Sequence, residues 1–271
     1  MAITAKDVKA LRDATGLGMT DCKKALEEAE GDMEKAAEIA RTKFGAKMAG
    51  RTDRESAEGR VAFARADDGS KAAIVQINTE TDFTAKNDAF IAMAQQVADL
   101  AAGLPAGEVA ANDGMDAAMQ DVRLTTGENV QFGEGVVFDA GKPGCVGGYV
   151  HFTGKVGVLI QLDTEGETPS DELVKDLCMH ISAIVPEALG VTEDEVPAEV
   201  IEKEKQFAKQ EAIDSGKPEE IAEKMVVGKM RKYLDSVVLL RQPFIKDDKQ
   251  KVQDILPAGV TIKAFKKIVI G

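Results

Sequence analysis

Apolar residues recur at helical spacing three times within the first fifty positions. Thr4, followed three residues later by Asp7, has the form of a capping box, and Val8 and Leu11 then share one face before Gly16 and Gly18 break the period. Thr20 stands where it would cap a second helix with Cys22, Ala25, Leu26 and Ala29 on its inner face. Gly31 would end that helix, and Asp32 would cap a third carrying Met33, Ala36, Ala37 and Ala40 toward the core. A three-helix bundle of this size buries little, so the loop residues Leu17 and Met19 either close its own core or present apolar surface to something else. From Gly45 to Glu58 the period lapses among Gly, Ala and charged residues, which predicts a linker.

Beyond the linker the pattern becomes strand-like and then repeats. Gly59-Arg60-Val61-Ala62-Phe63 and Gly148-Tyr149-Val150-His151-Phe152 each open a predicted strand. A second strand follows at 73–77 and 157–162, and an amphipathic helix begins near Asp88 and near Asp171, giving two β-β-α units about 85 residues apart. Residues 106–130 add helix and loop around Met115, Met119 and Val122, and 136–138 reads as a further strand. The helix that carries Leu173, Val174, Leu177, Cys178 and Ile181 runs toward Pro186. Charged helices then occupy 198–214 and 218–234, separated by Ser215-Gly216-Lys217-Pro218, whose Gly and Pro oppose continuation. Their apolar positions, among them Val200, Phe207, Ile213, Ile221, Met225 and Met230, are too sparse for burial all round and predict an antiparallel hairpin that projects from the body. Strands at 237–239, Phe244-Ile245 and 261–270 would complete the second unit.

The expected fold is therefore α+β. It has an N-terminal three-helix module at 1–50, a linker at 51–58, and a core of two related β-β-α subdomains with antiparallel sheets. These occupy 59–140 and 141–197 together with 235–271, and the helical hairpin occupies 198–234.

Charge narrows the function classes. Against 34 basic residues stand 47 acidic ones, a net of −13, the opposite of what phosphate neutralisation needs. Lys263, Lys266 and Lys267 form a basic run too short to alter that balance and are read as a solvated strand edge. A protein partner is expected, with no nucleic acid. No apolar run of about 18 residues is present to span a membrane, and there is no N-terminal signal-like stretch. Three cysteines without a CxxC pair read as reduced thiols in a cytosol.

Enzyme chemistry has little to build on. Cys178 and His180 lie two apart on a helix and face different ways, and Cys145 meets His151 only if a glycine-rich loop folds back. There is no P-loop and no metal-ligand spacing, so neither cofactor nor metal is expected.

One corner stands apart. Asn78-Thr79-Glu80-Thr81-Asp82-Phe83 joins a predicted strand to the helix at 88–102 and places a Phe in polar surroundings, in a chain with no Trp and 4% aromatic residues. The pattern leaves two readings of Phe83 open: a protruding contact residue, or an anchor folded under the next helix. Asp82 likewise either caps the following turn or contacts a partner.

Four segments taken together carry a family resemblance: Thr15-Gly16-Leu17-Gly18-Met19-Thr20-Asp21-Cys22-Lys23-Lys24-Ala25-Leu26, Thr81-Asp82-Phe83, Met179-His180 and Arg241-Gln242-Pro243-Phe244. In this order, and over nearly the whole chain, they resemble the bacterial elongation factor Ts family, guanine-nucleotide exchange factors for elongation factor Tu. The resemblance implies a UBA-like N-terminal module, a core that contacts the partner's GTPase domain, and a coiled-coil hairpin. It implies that Phe83 enters between helices of the GTPase domain and perturbs the magnesium and phosphate end of the GDP site, with Thr81, Asp82 and Thr84 beside it. Met19 and Lys23 match module positions that touch the same domain, and His151 and Val237 match core positions facing another domain of the partner. Gly127-Glu128-Asn129 matches a family loop and brings Gly127 into the contact set, although Thr126 stands where an apolar residue is common. Thr84 stands where the family often has Val, and the chain ends at Gly271 without the helical extension some members carry. A homodimer within a larger complex is compatible with the hairpin. The alternative is a non-catalytic adaptor binding a ribosomal or ubiquitin-like partner.

Overall fold

In the computed structural model, which describes residues 3–15, 17–49, 54–216 and 218–271, the chain opens on a capping box. The Thr4 amide and hydroxyl both donate to the Asp7 carboxylate, at 2.9 and 2.7 Å, and the Asp7 amide donates back to Thr4 Oγ1. Helix α1 (Ala5–Thr15) follows, with Val8 and Leu11 buried. Gly16, expected to break the period, lies outside the described residues. Helix α2 (Met19–Glu28) has its N-cap at Gly18, two residues before the expected Thr20, and has no side-chain cap. The cause is Leu17, which is drawn into the module's core, where its carbonyl accepts the Cys22 thiol at 3.6 Å. Past α2 the chain turns through Glu30 and Gly31, both at positive φ, and Asp32 Oδ1 accepts the amides of Glu34 and Lys35 to cap α3 (Met33–Ala49). Ala36 and Ala40 are buried, whereas Met33 sits exposed at the helix start. Because α3 continues to Ala49, the expected linker does not begin at Gly45; Ala, Lys and Met sustain a helix without an apolar period.

The body has four layers. Strands β1 (Glu58–Arg65) and β2 (Lys71–Thr79) pair from Glu58 with Thr79 to Arg65 with Ala72. A one-turn helix α4 (Asp82–Ala85) and then α5 (Asp88–Ala102) follow, and a two-residue β3 (Gly107–Glu108), α6 (Asp113–Thr126) and β4 (Gln131–Asp139) close the antiparallel sheet in the order β1-β2-β4-β3. The second sheet, β5 (Cys145–Val150), β6 (Val156–Thr164) and a late β9 (Val260–Val269), has the order β5-β6-β9 and is covered by α7 (Asp171–Ala183).

Alternation along β2 explains the stacking. Ala73, Val75 and Ile77 pack on Phe90, Met93, Val97, Met115 and Met119 of α5 and α6, while Ala72 and Ile74 point the other way, against Val146, Leu159 and Ile268 of the second sheet. Each fully buried side chain of this size contributes about 1.5–3 kcal/mol. Glycines permit the sheets to approach. A methyl at Gly148 would overlap Phe63, and one at Gly157 would overlap Val61 and Ile74. This corrects the alignment of the repeat: Gly59 is the second residue of β1, but Gly148 sits mid-strand in β5 opposite Leu159, and Phe152 falls beyond the strand's end.

Helices α8 (Ala198–Asp214) and α9 (Glu219–Val237) form the expected antiparallel pair, with Ala208, Ala212, Leu234 and Val237 buried and Phe207, Ile213 and Val227 exposed. Lys217 of the intervening turn lies outside the described residues. No strand forms at 237–239. Val237 ends α9 and Leu239–Arg241 is a 3-10 turn, held by Leu239 and Leu240 amides donating to Gly190 and Val191 carbonyls. A short β7 (Pro243–Phe244) and β8 (Asp247–Lys251) pair before β9, β8 being a strand that its polar sequence did not announce. The basic run on β9 is ion-paired rather than simply solvated, Lys266 with Glu134 and Lys267 with Glu187.

Two of the four resemblance segments meet inside this unit. His180 is fully buried; its Nδ1 accepts the Ile245 amide at 3.2 Å, which leaves Nε2–H to donate to Gln242 Oε1 at 3.1 Å. The Gln242 amide in turn donates to the carbonyls of Pro186 and Ser236, so one buried side chain ties α7, its following loop and the last turn of α9.

Burial, only partly opposed by the Gln242 bond, lowers the His180 pKa from its ordinary 6.5, so the folded chain keeps the ring neutral where the unfolded chain takes up a proton. That contribution is complete above 6.5 and is lost as pH falls below it; thermal midpoints should drop between pH 7 and 5, and His180→Gln should flatten the slope. A methyl forced between the sheets by Gly157→Ala should cost about 1–3 kcal/mol in urea denaturation.

Candidate functional site

The corner after β2 is assembled from both sides. Thr81, with extended backbone, caps α4 by accepting the Thr84 amide on Oγ1, and Asn87 Oδ1 accepts the Ala89 amide at 2.8 Å to start α5. Thr84 and Ala85 point inward, and Phe83 at the second position of α4 points out, 83% exposed. Of the two readings that the pattern left open, the side chain takes the protruding one. Asp82 does not cap the turn, since Thr81 does; its carboxylate accepts from Lys86 Nζ at 2.6 Å, and that bond holds its pKa below the usual carboxylate value.

Beneath the corner lies Glu128, in the turn after α6. Gly127, in the left-handed region at φ 69°, ends α6 and aims the next residue back at the corner. Glu128 Oε2 accepts from Thr79 Oγ1 at 2.7 Å and from the Thr81 amide at 3.1 Å, and Oε1 accepts from Thr81 Oγ1 at 2.6 Å and Thr84 Oγ1 at 2.7 Å. Burial on its own would raise the Glu128 pKa, but the bonds from Thr81, Thr84 and Thr79 outweigh it and hold the carboxylate below its usual range. Glu80 completes the seam, accepting the Asn129 amide at 2.8 Å and pairing with Arg54 at 3.2 Å.

The other predicted residues fall in three places. The turn between β5 and β6 carries His151, whose Nδ1 lies 2.9 Å from Thr153 Oγ1, and Lys155 of that turn pairs with Glu58 at the start of β1 at 2.8 Å. The Gly154 carbonyl accepts the Val61 amide, so the turn lies against the same end of β1 that adjoins α4. Sequence reading missed Phe152, which is 86% exposed with its ring 4.3 Å from that of His151; the misplaced strand end had hidden it. Met19, 44% exposed, and Lys23 line a surface depression of the N-terminal module with Ile3, Thr4 and Val8. The module's core also contains Leu124 of α6, so it is seated on the helix that ends at Gly127. Val237 is apart from all of these: it is 3% exposed at the base of the hairpin, and its side chain belongs to the core.

The remaining candidate chemistry is inward-facing. Cys22, Cys145 and Cys178 are all free and buried, and burial raises the pKa of Cys145 and Cys178, away from a reactive thiolate. Among the described residues, no three His, Cys, Asp or Glu side chains are grouped to hold a metal ion, and no helix is long and apolar enough to cross a membrane.

Comparison with known proteins agrees with the four segments. The profile of the family described as Elongation factor TS matches residues 80–271. Elongation factor Ts of Prosthecochloris aestuarii is 39% identical over 287 residues, covering 99% of both chains. The protein of the same name from Methylobacillus flagellatus is 43% identical over 277 residues, covering 99% of this chain and 92% of its own. That of Alkalilimnicola ehrlichii is 41% identical over 280 residues, covering 100% and 93%. With the profile spanning the corner, the second sheet and the hairpin, and with relatives matched from end to end, this chain belongs to the elongation factor Ts family of translation elongation factors, which serve protein biosynthesis.

Proposed function

We propose that the chain is a guanine-nucleotide exchange factor that promotes GDP release from elongation factor Tu, acting by differential binding and without bond chemistry of its own. The observation that carries this reading is Phe83, an aromatic ring held almost wholly in solvent on a corner whose backbone is tied down at Thr79, Thr81 and Thr84. A large apolar side chain kept exposed on a rigid support has its burial energy in reserve for a partner.

Linkage sets what the reading demands. A factor that binds the nucleotide-free GTPase more tightly than the nucleotide-bound form weakens nucleotide binding by the same ratio. A ratio of about 10,000 corresponds to about 5.5 kcal/mol. Burying the Phe83 ring supplies about 1.5–3 kcal/mol. The balance must come from other contacts. Asp82 and Thr81 beside the ring, Gly127 beneath it, His151 on the neighbouring turn, and Met19 and Lys23 on the module are the proposed contributors. Val237, being buried, would act by supporting the hairpin's base. Division of labour follows from position: Phe83 is the wedge that opposes nucleotide, and the Met19 depression is a docking contact that binds both forms of the GTPase.

Two substitutions separate these roles. Phe83→Ala removes an exposed side chain, so the thermal midpoint should hold within the equivalent of about 0.5 kcal/mol. In stopped-flow release of fluorescent GDP from elongation factor Tu, its limiting rate should fall toward the unassisted one. Unchanged release would remove Phe83 from the mechanism. Met19→Ala should instead raise the concentration needed for half-maximal stimulation, by about 1 kcal/mol or roughly fivefold, and leave the limiting rate in place; a lowered limiting rate at saturation would contradict the assignment.

A further inference from the structure

We infer that Glu128 is the positioning residue of the exchange site, a carboxylate that sets the angle at which Phe83 leaves the surface while making no contact with the partner itself. The inference rests on the exchange reading and adds to it a residue that does its work from beneath.

The Glu128 carboxylate is fully coordinated within the chain. An ionised carboxylate offers about four lone-pair sites, and all four are used within the chain by the Thr79, Thr81 and Thr84 hydroxyls and the Thr81 amide. A partner's donor would have to displace one of these. The bonds are also placed to constrain direction as well as distance. They fall on the last residue of β2, on the N-cap of α4 and on the residue that follows Phe83, so the short helix is gripped at both ends of the turn that presents the ring.

Thr81 gives the arrangement its polarity. Its hydroxyl donates to Glu128 Oε1 and so keeps its lone pairs free to accept the Thr84 amide, which is the N-cap bond of α4. An amide nitrogen in place of Oε2 would face the Thr81 amide donor, and one in place of Oε1 would take away the acceptor of the Thr81 and Thr84 hydroxyls, so a glutamine disturbs Thr81 in either orientation. A four-residue helix has too few internal bonds to persist without that cap. Glu128 itself is fixed from the other side, its amide donating to Thr126 Oγ1 and its backbone following Gly127 in the left-handed region. Thr126 thus has a use here as a polar residue, because its hydroxyl also donates to the Val122 carbonyl.

The test uses the fact that the chain has no tryptophan. Phe83→Trp installs a single indole at the corner, and its fluorescence anisotropy should fall when Glu128→Gln is added, with the far-ultraviolet circular dichroism and thermal unfolding still cooperative. In GDP release from elongation factor Tu, Glu128→Gln should slow the stimulated rate on the order of tenfold. Thr84→Val, which removes one donor and keeps the carboxylate, should slow it less and serves if Glu128→Gln does not fold. Neither substitution should slow release further in a Phe83→Ala background, because a positioning residue has no effect once the ring it positions is gone. Losses that multiply in that background, or an indole signal unmoved by Glu128→Gln, would overturn the inference alone. Failure of the unsubstituted chain to accelerate release would overturn the exchange reading and the inference with it.

Discussion

Four hydrogen bonds converge on the carboxylate of Glu128 from residues 44 to 49 positions away in the chain. Everything proposed for the corner depends on them. Left to itself, a Phe next to the apolar faces of α5 and β2 would fold inward, where its burial is favourable by about 1.5–3 kcal/mol. Charge-assisted bonds contribute about 1.5–3 kcal/mol each, and four of them acting on one short turn are sufficient to hold the backbone in the geometry that points Phe83 outward. The exposed ring and the half-buried carboxylate are thus two ends of one arrangement, one storing interaction energy and the other preventing its use within the chain.

The layers around the corner explain why it stays where it is. β2 is buried on both faces, against α5 and α6 on one side and the second sheet on the other, so the strand that delivers Thr79 to Glu128 cannot shift register without moving its apolar set off both cores. Gly148 and Gly157 let the sheets close, and that closure brings the β5–β6 turn, with His151, Phe152 and Lys155, against the start of β1. Leu124 links the N-terminal module to α6, the helix whose end supplies Gly127 and Glu128. Three exposed features, Phe83, the His151–Phe152 pair and the Met19 depression, are therefore each connected to the corner through a short chain of packed or hydrogen-bonded residues.

Much of this was legible in the sequence where the signal was local. The helices at 88–102 and 198–214, the Thr4 and Asp32 caps and the alternating strands each follow from a period or a cap within a few residues of one another. The strand-to-helix corner was visible for the same reason, although pattern alone could not say which way Phe83 pointed. What escaped were long-range relations. Glu128 looks like any polar loop residue until its partners in Thr79, Thr81 and Thr84 are known, and Gly148 reads as a strand opener until Phe63 is seen opposite it. Val237 and Leu239 are apolar and β-compatible, yet the Leu189 amide donates to the Val237 carbonyl and the Leu239 amide to the Gly190 carbonyl, and they stand as the end of a helix and a 3-10 turn. His180 and Gln242 carried family resemblance without revealing that they bond to each other in the core.

The central claim is that the corner is ready before its partner arrives. A structure of the chain bound to nucleotide-free elongation factor Tu tests it most directly. The account predicts that Phe83 is buried against the GTPase while the Glu128 bonds to Thr79, Thr81 and Thr84 remain as they are in the free chain. A complex in which the ring stays in solvent, or in which the corner refolds and those bonds are broken, would contradict it.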